Sequence, residues 1–132
     1  MSRGRPPREL RWLEYAQRLA HRRRNIVASN SRPSVGAALW RKALQGGARA
    51  LGRATGAIAP GARADLVVLD GGHVDLAGRE EDTILDALVF SGNDNLVRDV
   101  IVSGKWVVRE GRADGEDAIA ARYRNALLRL ID

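Results

Sequence analysis

The chain has 132 residues, 45% of them hydrophobic and 29% charged, with a formal net charge of +6 and no cysteine. These values are ordinary for a single soluble globular domain, and the lack of cysteine excludes disulfides and thiolate metal ligands. No apolar run approaches the roughly 20 residues of a membrane-spanning helix, and the N-terminus lacks the apolar stretch of a secretory signal peptide. We therefore expect a cytoplasmic protein with no membrane partner.

The positive charge is concentrated at the start of the chain. Residues 1–32 contain nine arginines against Glu9 and Glu14, whereas the remaining hundred residues contain 13 basic and 14 acidic groups. A basic first quarter on a nearly neutral body indicates either a binding face for nucleic acid or a helix that lies against a larger acidic surface.

The first predicted element is a helix that follows a disordered tail at residues 1–7, where two consecutive prolines discourage helix formation. From Arg8 to about Ala28 the apolar residues recur at helical spacing. They predict one core-facing stripe, which consists of Trp12, Leu13, Ala16, Leu19 and Ala20.

The arginines of this predicted helix share one side. Arg11, Arg18 and Arg22 stack beside the apolar stripe, and Glu14 is placed to pair with Arg18 at the i,i+4 spacing. Trp12 falls on the stripe itself, where it is more useful in a core than for stacking on bases. We therefore favour a helix whose arginines reach carboxylates of a missing surface, and we regard nucleic acid as an unlikely partner.

A second helix is predicted from Val35 to about Gln45, with Ser34 as its N-cap. Gly46 and Gly47 are expected to end it, with one further helical turn over residues 48–51. The helical segment as a whole spans residues 8–53.

Residues 54–112 are predicted to form a small β unit. The short apolar run Leu66–Leu69 predicts a strand that is buried on both faces. Apolar residues at helical spacing predict a short helix from Ile84 to Phe90. The alternating pattern over Val97–Arg109, interrupted at Ser103 to Lys105, predicts a β-hairpin.

The last predicted element is a C-terminal helix within residues 113–132. Its apolar residues recur every three or four positions: Ile119, Tyr123, Leu127 and Leu130. The whole pattern predicts an α+β fold with N-terminal helices, a small β unit made of a strand plus a hairpin, and this C-terminal helix.

The residues that most resemble site residues have simpler structural explanations. His21 lies in a run of arginines, which disfavours a bound cation, and His73 has only Asp75 nearby, short of the three or four ligands of a zinc site. Asp65 and Asp70 bracket an apolar strand. We interpret them as turn and strand-end caps rather than as a catalytic carboxylate pair.

Two segments resemble the amidohydrolase superfamily: GAIAPGARADLVVLD over Gly56–Asp70, and VRDVIVSGKWVVREGR over Val97–Arg112. In that superfamily the first resembles the strand that re-enters a small β-sandwich, and the second resembles the hairpin that completes it. Within the superfamily, the stretches Glu9–Ala28 and Ala38–Arg53 resemble the formimidoylglutamate deiminases of histidine degradation.

The resemblance covers about residues 8–131, yet only the last third or so of such an enzyme. It implies that the β unit is a remnant of a β-sandwich and that the catalytic barrel is missing from this chain. In the family, that barrel presents a His-x-His pair, two later histidines and an aspartate around a divalent, zinc-like metal. Residue-by-residue transfer therefore assigns no catalytic, cofactor-binding or metal-binding residue here, and no cofactor to this chain.

The resemblance thus predicts a C-terminal fragment of a metal-dependent hydrolase that cleaves a carbon–nitrogen bond of a formimino amino acid. We expect the fragment to be inactive alone, and to have a missing barrel segment or a second copy of itself as its partner. The alternative is a basic module that binds nucleic acid, or a non-catalytic interaction module.

Overall fold

The computed structural model describes residues 6–31 and 33–131, so residues 1–5 of the predicted tail lie outside the described residues. The chain divides into two compact units. The helical unit comprises Met1–Arg63 and Asp70–Leu96, and the sheet unit comprises Ala64–Leu69 and Val97–Asp132.

The predicted α+β architecture is confirmed. In the helical unit the elements are α1 (Pro6–His21), α2 (Val35–Leu51), a 3-10 turn (Val74–Leu76) and α3 (Asp82–Phe90). In the sheet unit they are β1 (Leu66–Leu69), β2 (Val97–Val102), β3 (Lys105–Arg109), β4 (Arg112–Ala113) and α4 (Glu116–Ile131). The four strands form one antiparallel sheet in the order β1-β2-β3-β4, which is not a closed barrel.

The core of the helical unit lies between its helices. Val35, Leu39 and Val89 are buried together. Partly buried apolar side chains pack around them, namely Leu10, Val27, Ala28 and Phe90. Gly36 lets α2 approach α3 closely, because a Cβ at this position would lie 2.6 Å from the Cα of Asp86.

The start of α2 is satisfied by two side chains. The predicted N-cap is confirmed, since Ser34 Oγ accepts a hydrogen bond from the backbone N–H of Ala37 at 3.0 Å. Asp86 of α3 accepts a second one from the backbone N–H of Gly36 at 2.6 Å. These bonds satisfy two of the four N–H groups that a helix start leaves without partners.

The prediction that Gly46 and Gly47 end the second helix is wrong. The helix α2 continues to Leu51, and the chain leaves it at Gly52, which has the left-handed φ of 59°. A glycine inside a helix costs about 1 kcal/mol relative to alanine, which is too little to stop a helix that is anchored elsewhere.

The predicted first helix also has different bounds and a different packed face. It begins at Pro6, since proline is well tolerated in the first helical turn, and it ends at His21 rather than near residue 28. Positive φ values of 49° at Arg22 and 54° at Asn25 break the helix. The predicted core stripe faces outward, with Trp12, Leu13 and Leu19 exposed by 63%, 53% and 81%.

The predicted hairpin is confirmed, with Lys105 as the first residue of the return strand. Two-residue turns join β2 to β3 at Ser103–Gly104 and β3 to β4 at Glu110–Gly111, and all four turn residues have φ between 50° and 77°. This conformation is the type I′ turn, whose twist suits tight hairpins. The strand Leu66–Leu69 is confirmed, but Val67 is 49% exposed, so the predicted burial on both faces is wrong.

The two remaining helices follow the apolar pattern closely. The predicted helix over residues 84–90 is confirmed and begins two residues earlier, at Asp82. The C-terminal helix is confirmed as α4 over Glu116–Ile131, and none of its residues is buried.

Candidate functional site

Glu14 has the most deeply buried charged side chain in the described part of the chain, with an exposed fraction of 0%. Its Oε1 accepts hydrogen bonds from Arg18 Nε at 2.8 Å and from the backbone N–H of Ile26 at 3.0 Å. The first contact confirms the predicted i,i+4 pair, and the second folds the segment after α1 back onto the helix. The other oxygen, Oε2, is buried and has no partner among the described residues.

Arg11 joins α1 to the end of α3. Its guanidinium donates hydrogen bonds to the carbonyl oxygen of Val89 at 2.6 Å and to that of Gly92 at 2.8 Å. A third, longer bond of 3.3 Å goes to Oδ1 of Asn93. Since the last carbonyls of a helix lack partners within the helix, Arg11 acts as a C-terminal cap for α3.

Arg18 lies over two aromatic rings. Its guanidinium carbon is 5.6 Å from the ring centroid of Tyr15 and 5.5 Å from that of Phe90. The two rings stack with their centroids 6.0 Å apart. Such cation–π contacts stabilise packing. Arg11 and Arg18 are therefore used inside the helical unit, whereas Arg22 is exposed beyond the end of α1.

The two histidines occupy unrelated local settings. His21 is the exposed last residue of α1. His73 caps the 3-10 turn, where its Nδ1 accepts a hydrogen bond from the backbone N–H of Asp75 at 3.2 Å. Across residues 6–31 and 33–131, no three or more His, Cys, Asp or Glu side chains are grouped so that they could hold a metal ion. The described residues therefore do not fit the divalent metal that the resemblance implies.

The carboxylates at the ends of β1 cap turns, as predicted. Oδ1 of Asp65 accepts a hydrogen bond from the backbone N–H of Ser103 at 2.9 Å, which closes the hairpin turn. Oδ1 of Asp70 accepts one from the backbone N–H of Gly72 at 3.0 Å. Both groups therefore support the backbone conformation of the turns that they cap.

Asp99 is the buried carboxylate of the sheet unit, with an exposed fraction of 5%. It accepts hydrogen bonds from the backbone N–H of Glu110 and from Arg98 Nε, both at 2.8 Å. The hydrogen bond from the backbone N–H of Glu110 lowers the pKa of Asp99 most, and the bond from Arg98 lowers it further. Burial raises the pKa and offsets only part of this effect. Asp99 is therefore the ionised anchor of the turn between β3 and β4.

Two helices expose apolar faces. On α1 the face consists of Trp12, Leu13 and Leu19. On α4 every large apolar side chain is exposed: Ile119, Tyr123, Leu127, Leu128, Leu130 and Ile131. Exposed apolar surface on this scale is typical of faces that contact another protein segment. No helix among the described residues is both long enough and apolar enough to cross a bilayer.

The sequence interpretation missed three structural carboxylates: Glu14 as a buried group, Asp86 and Asp99. For two of them, the surrounding sequence indicated a buried and hydrogen-bonded carboxylate. Asp86 interrupts the apolar run of α3, and Asp99, next to Arg98, interrupts the apolar residues of β2. An acidic residue at such a position is expected to bind a backbone N–H or a cation, because burial without a partner is costly.

Comparison with known proteins gives consistent matches. The sequence model of the amidohydrolase family matches residues 10–107. Formimidoylglutamate deiminase from Pseudomonas aeruginosa is 49% identical over 124 residues, which cover 94% of this chain but only 27% of the relative. The crystal structure of an amidohydrolase from Brucella melitensis superposes with a TM-score of 0.76 at 39% identity, again over 94% of this chain and 27% of that chain.

The family match covers most of the chain, and each relative matches 94% of it. The chain spans about a quarter of the length of either relative. The protein therefore belongs to the amidohydrolase family.

Proposed function

We propose that the chain is the C-terminal, structural part of a formimidoylglutamate deiminase-like enzyme, and that it supplies no catalytic group. The observation that carries this proposal is the distribution of the identity, which extends through 94% of this chain yet is confined to 27% of the deiminase. The reaction would be hydrolysis of a carbon–nitrogen bond of formimidoylglutamate by the complete enzyme.

The contacts of the charged side chains support a structural role. Glu14 holds the segment after α1, Asp86 binds the start of α2, and Asp99 holds a turn of the sheet. Each of these carboxylates directs at least one oxygen to a backbone N–H of its own unit. A group used in this way fixes the scaffold and is not presented to a substrate.

The divalent metal typical of the family would be held by residues outside this chain. The two histidines do not meet, and the carboxylates described above are used in caps and turns. We therefore expect the purified chain to retain no stoichiometric zinc after dialysis. Metal analysis by mass spectrometry measures this directly, and one tightly bound ion per chain would contradict the assignment.

The activity is tested with a chimera in which this chain replaces the matched quarter of the Pseudomonas aeruginosa deiminase. We expect the chimera to hydrolyse formimidoylglutamate and the isolated chain to release no ammonia above background. Because the chain and the replaced segment are 49% identical, most packing contacts are expected to be preserved. The native deiminase is the positive control.

Two results would count against the proposal. Hydrolysis by the isolated chain would show that it carries its own active site. A folded chimera that binds metal but lacks activity would show that this chain cannot replace the matched segment. A chimera with Gly46→Ala is the control for a harmless substitution within this chain. It is expected to keep the activity of the parent chimera, because a Cβ at this exposed position meets nothing within 4 Å.

A further inference from the structure

The exposed face of α1 combines apolar side chains with unpaired cations. Trp12, Leu13 and Leu19 are each more than half exposed. At 100° per residue they lie on one arc of about 120°. A helix normally turns such an arc toward a partner, because leaving it in water forfeits the free energy of burial.

The cations lie directly after the helix. Arg22, Arg23 and Arg24 are all exposed, and their side chains make no hydrogen bond or ion pair with the described part of the chain. The backbone N–H of Arg23 donates to the carbonyl oxygen of Arg18 at 3.3 Å, which leaves its guanidinium available. In contrast, two of the three arginines within the helix, Arg11 and Arg18, are occupied by α3 and by Glu14. The arginine run therefore remains available to a partner at the end of the apolar face.

We infer that this face docks on an apolar surface bordered by carboxylates, and that this surface belongs to the portion of the enzyme that the present chain does not contain. The inference rests on the proposed function. The relatives have nearly three-quarters of their length outside the matched region, which is ample to provide such a surface. Arginine guanidinium groups bind carboxylates by paired, charge-assisted hydrogen bonds.

Charge disfavours a second copy of the chain as the occupant. With nine arginines against two glutamates in residues 1–32, two such segments would repel each other. An anionic lipid surface is also disfavoured. Glu9 is exposed and falls inside the apolar arc, so insertion into a bilayer would place its carboxylate in an anionic interface without a partner, whereas a protein surface can present a basic side chain to it.

The test compares two charge-reversal variants in the chimera. The docking variant carries Arg22→Glu, Arg23→Glu and Arg24→Glu. The control carries Arg49→Glu, Arg53→Glu and Arg79→Glu, which are exposed, belong to the same unit and change the charge equally. We expect the docking variant to lower the thermal unfolding midpoint of the chimera by about 3–6 °C, and the control to change it by about 1 °C or less. Leu19→Lys is expected to act in the same direction as the docking variant.

The isolated chain shows whether the effect comes from docking. There the docking variant is expected to leave the midpoint within about 1 °C of the parent, because the guanidinium groups of the three arginines have no partner in the described chain. Equal losses in the chimera and the isolated chain would overturn the inference, as would equal losses from both variants. An active chimera that is insensitive to the docking variant would overturn it while leaving the proposed function intact.

Two further outcomes would assign the face to another occupant. Binding of the isolated chain to vesicles of 30% phosphatidylserine in phosphatidylcholine, lost in the docking variant, would identify a lipid surface. A dimer of the isolated chain in light scattering that Leu19→Lys abolishes would identify a second copy. Either result would overturn the inference.

Discussion

The helices α1 and α4 are equally long and similarly amphipathic, yet they are held very differently. Each has 16 residues. Buried Glu14 and the guanidinium of Arg11 tie α1 to its unit, whereas α4 has no buried residue at all. Within the described residues, polar contacts and the partly buried Leu10 hold α1, whereas its apolar stripe remains exposed. An apolar stripe therefore identifies a face that is favourable to bury, but not the element that covers it.

The largest loss of stability in the helical unit is expected when α2 is separated from α3. In Gly36→Val the new side chain would collide with the backbone of Asp86, so we expect the free energy of unfolding to fall by about 3 kcal/mol or more. Urea unfolding followed by circular dichroism measures the loss. Gly46→Ala is the matched control and should stabilise the chain by about 0.5–1 kcal/mol. Similar losses in both variants would show that the close approach is not important.

Removing the buried carboxylate should loosen α1. In Glu14→Ala, Arg18 and the backbone N–H of Ile26 lose their acceptor, so we expect a loss of about 2–3 kcal/mol. The exposed Glu9→Ala on the same helix should cost less than about 0.5 kcal/mol. If the two variants unfold at the same urea concentration, Glu14 does not anchor the helix.

The sequence predicted the parts of the fold that depend on short-range signals. Ser34 before an apolar run identified a helix start, and the alternation around Ser103–Gly104 identified a hairpin. The packed face of α1 was not predictable in the same way, because it depends on the partners of Arg11 and Glu14. Arg11 binds Asn93, 82 residues along the chain, and Glu14 binds the backbone N–H of Ile26 in the loop after the helix. Hydrophobic periodicity contains no information about those partners.

The same limit applies to the candidate site. The likeness to amidohydrolases rests on two strand motifs, and the family match and the relatives bear it out. The structural carboxylates were not assigned from sequence, since a hydrogen bond from Gly36 to Asp86 or from Glu110 to Asp99 depends on tertiary contacts. Local pattern rules place residues on faces and do not pair them across elements.

The sheet unit is expected to respond to acid through Asp99. Because the pKa of Asp99 is lowered in the folded chain, its contribution to stability is present above the ordinary carboxyl pKa and is lost as the pH falls through the lower, folded value. Asp99→Asn should therefore reduce stability at pH 7 and reduce its dependence on pH below 4. Urea midpoints of both proteins at several pH values test this. Parallel curves would rule out Asp99 as the titrating group.

The smallest effect is expected on α4 in the isolated chain. Leu130 is 82% exposed, so Leu130→Ser should change the free energy of unfolding by less than about 0.5 kcal/mol. Hydrogen exchange should show α4 less protected than α2, because few buried contacts hold it. A large loss in Leu130→Ser, or slow exchange throughout α4, would mean that a partner already covers this helix in solution.

The acidic ends of β1 have a consequence for solubility. The strands β1 and β4 are the outermost strands of the sheet, and no other described strand pairs with the outer edge of β1, so that edge is able to pair with the β1 of a second molecule. Antiparallel pairing of two such strands, with Val67 opposite Val68, would place Asp65 of each copy opposite Asp70 of the other. Four carboxylates would then meet in two like-charged pairs. Asp65 and Asp70, which close turns in the folded chain, therefore also disfavour association through the outer edge of β1. Neutralising both should make the chain precipitate more readily.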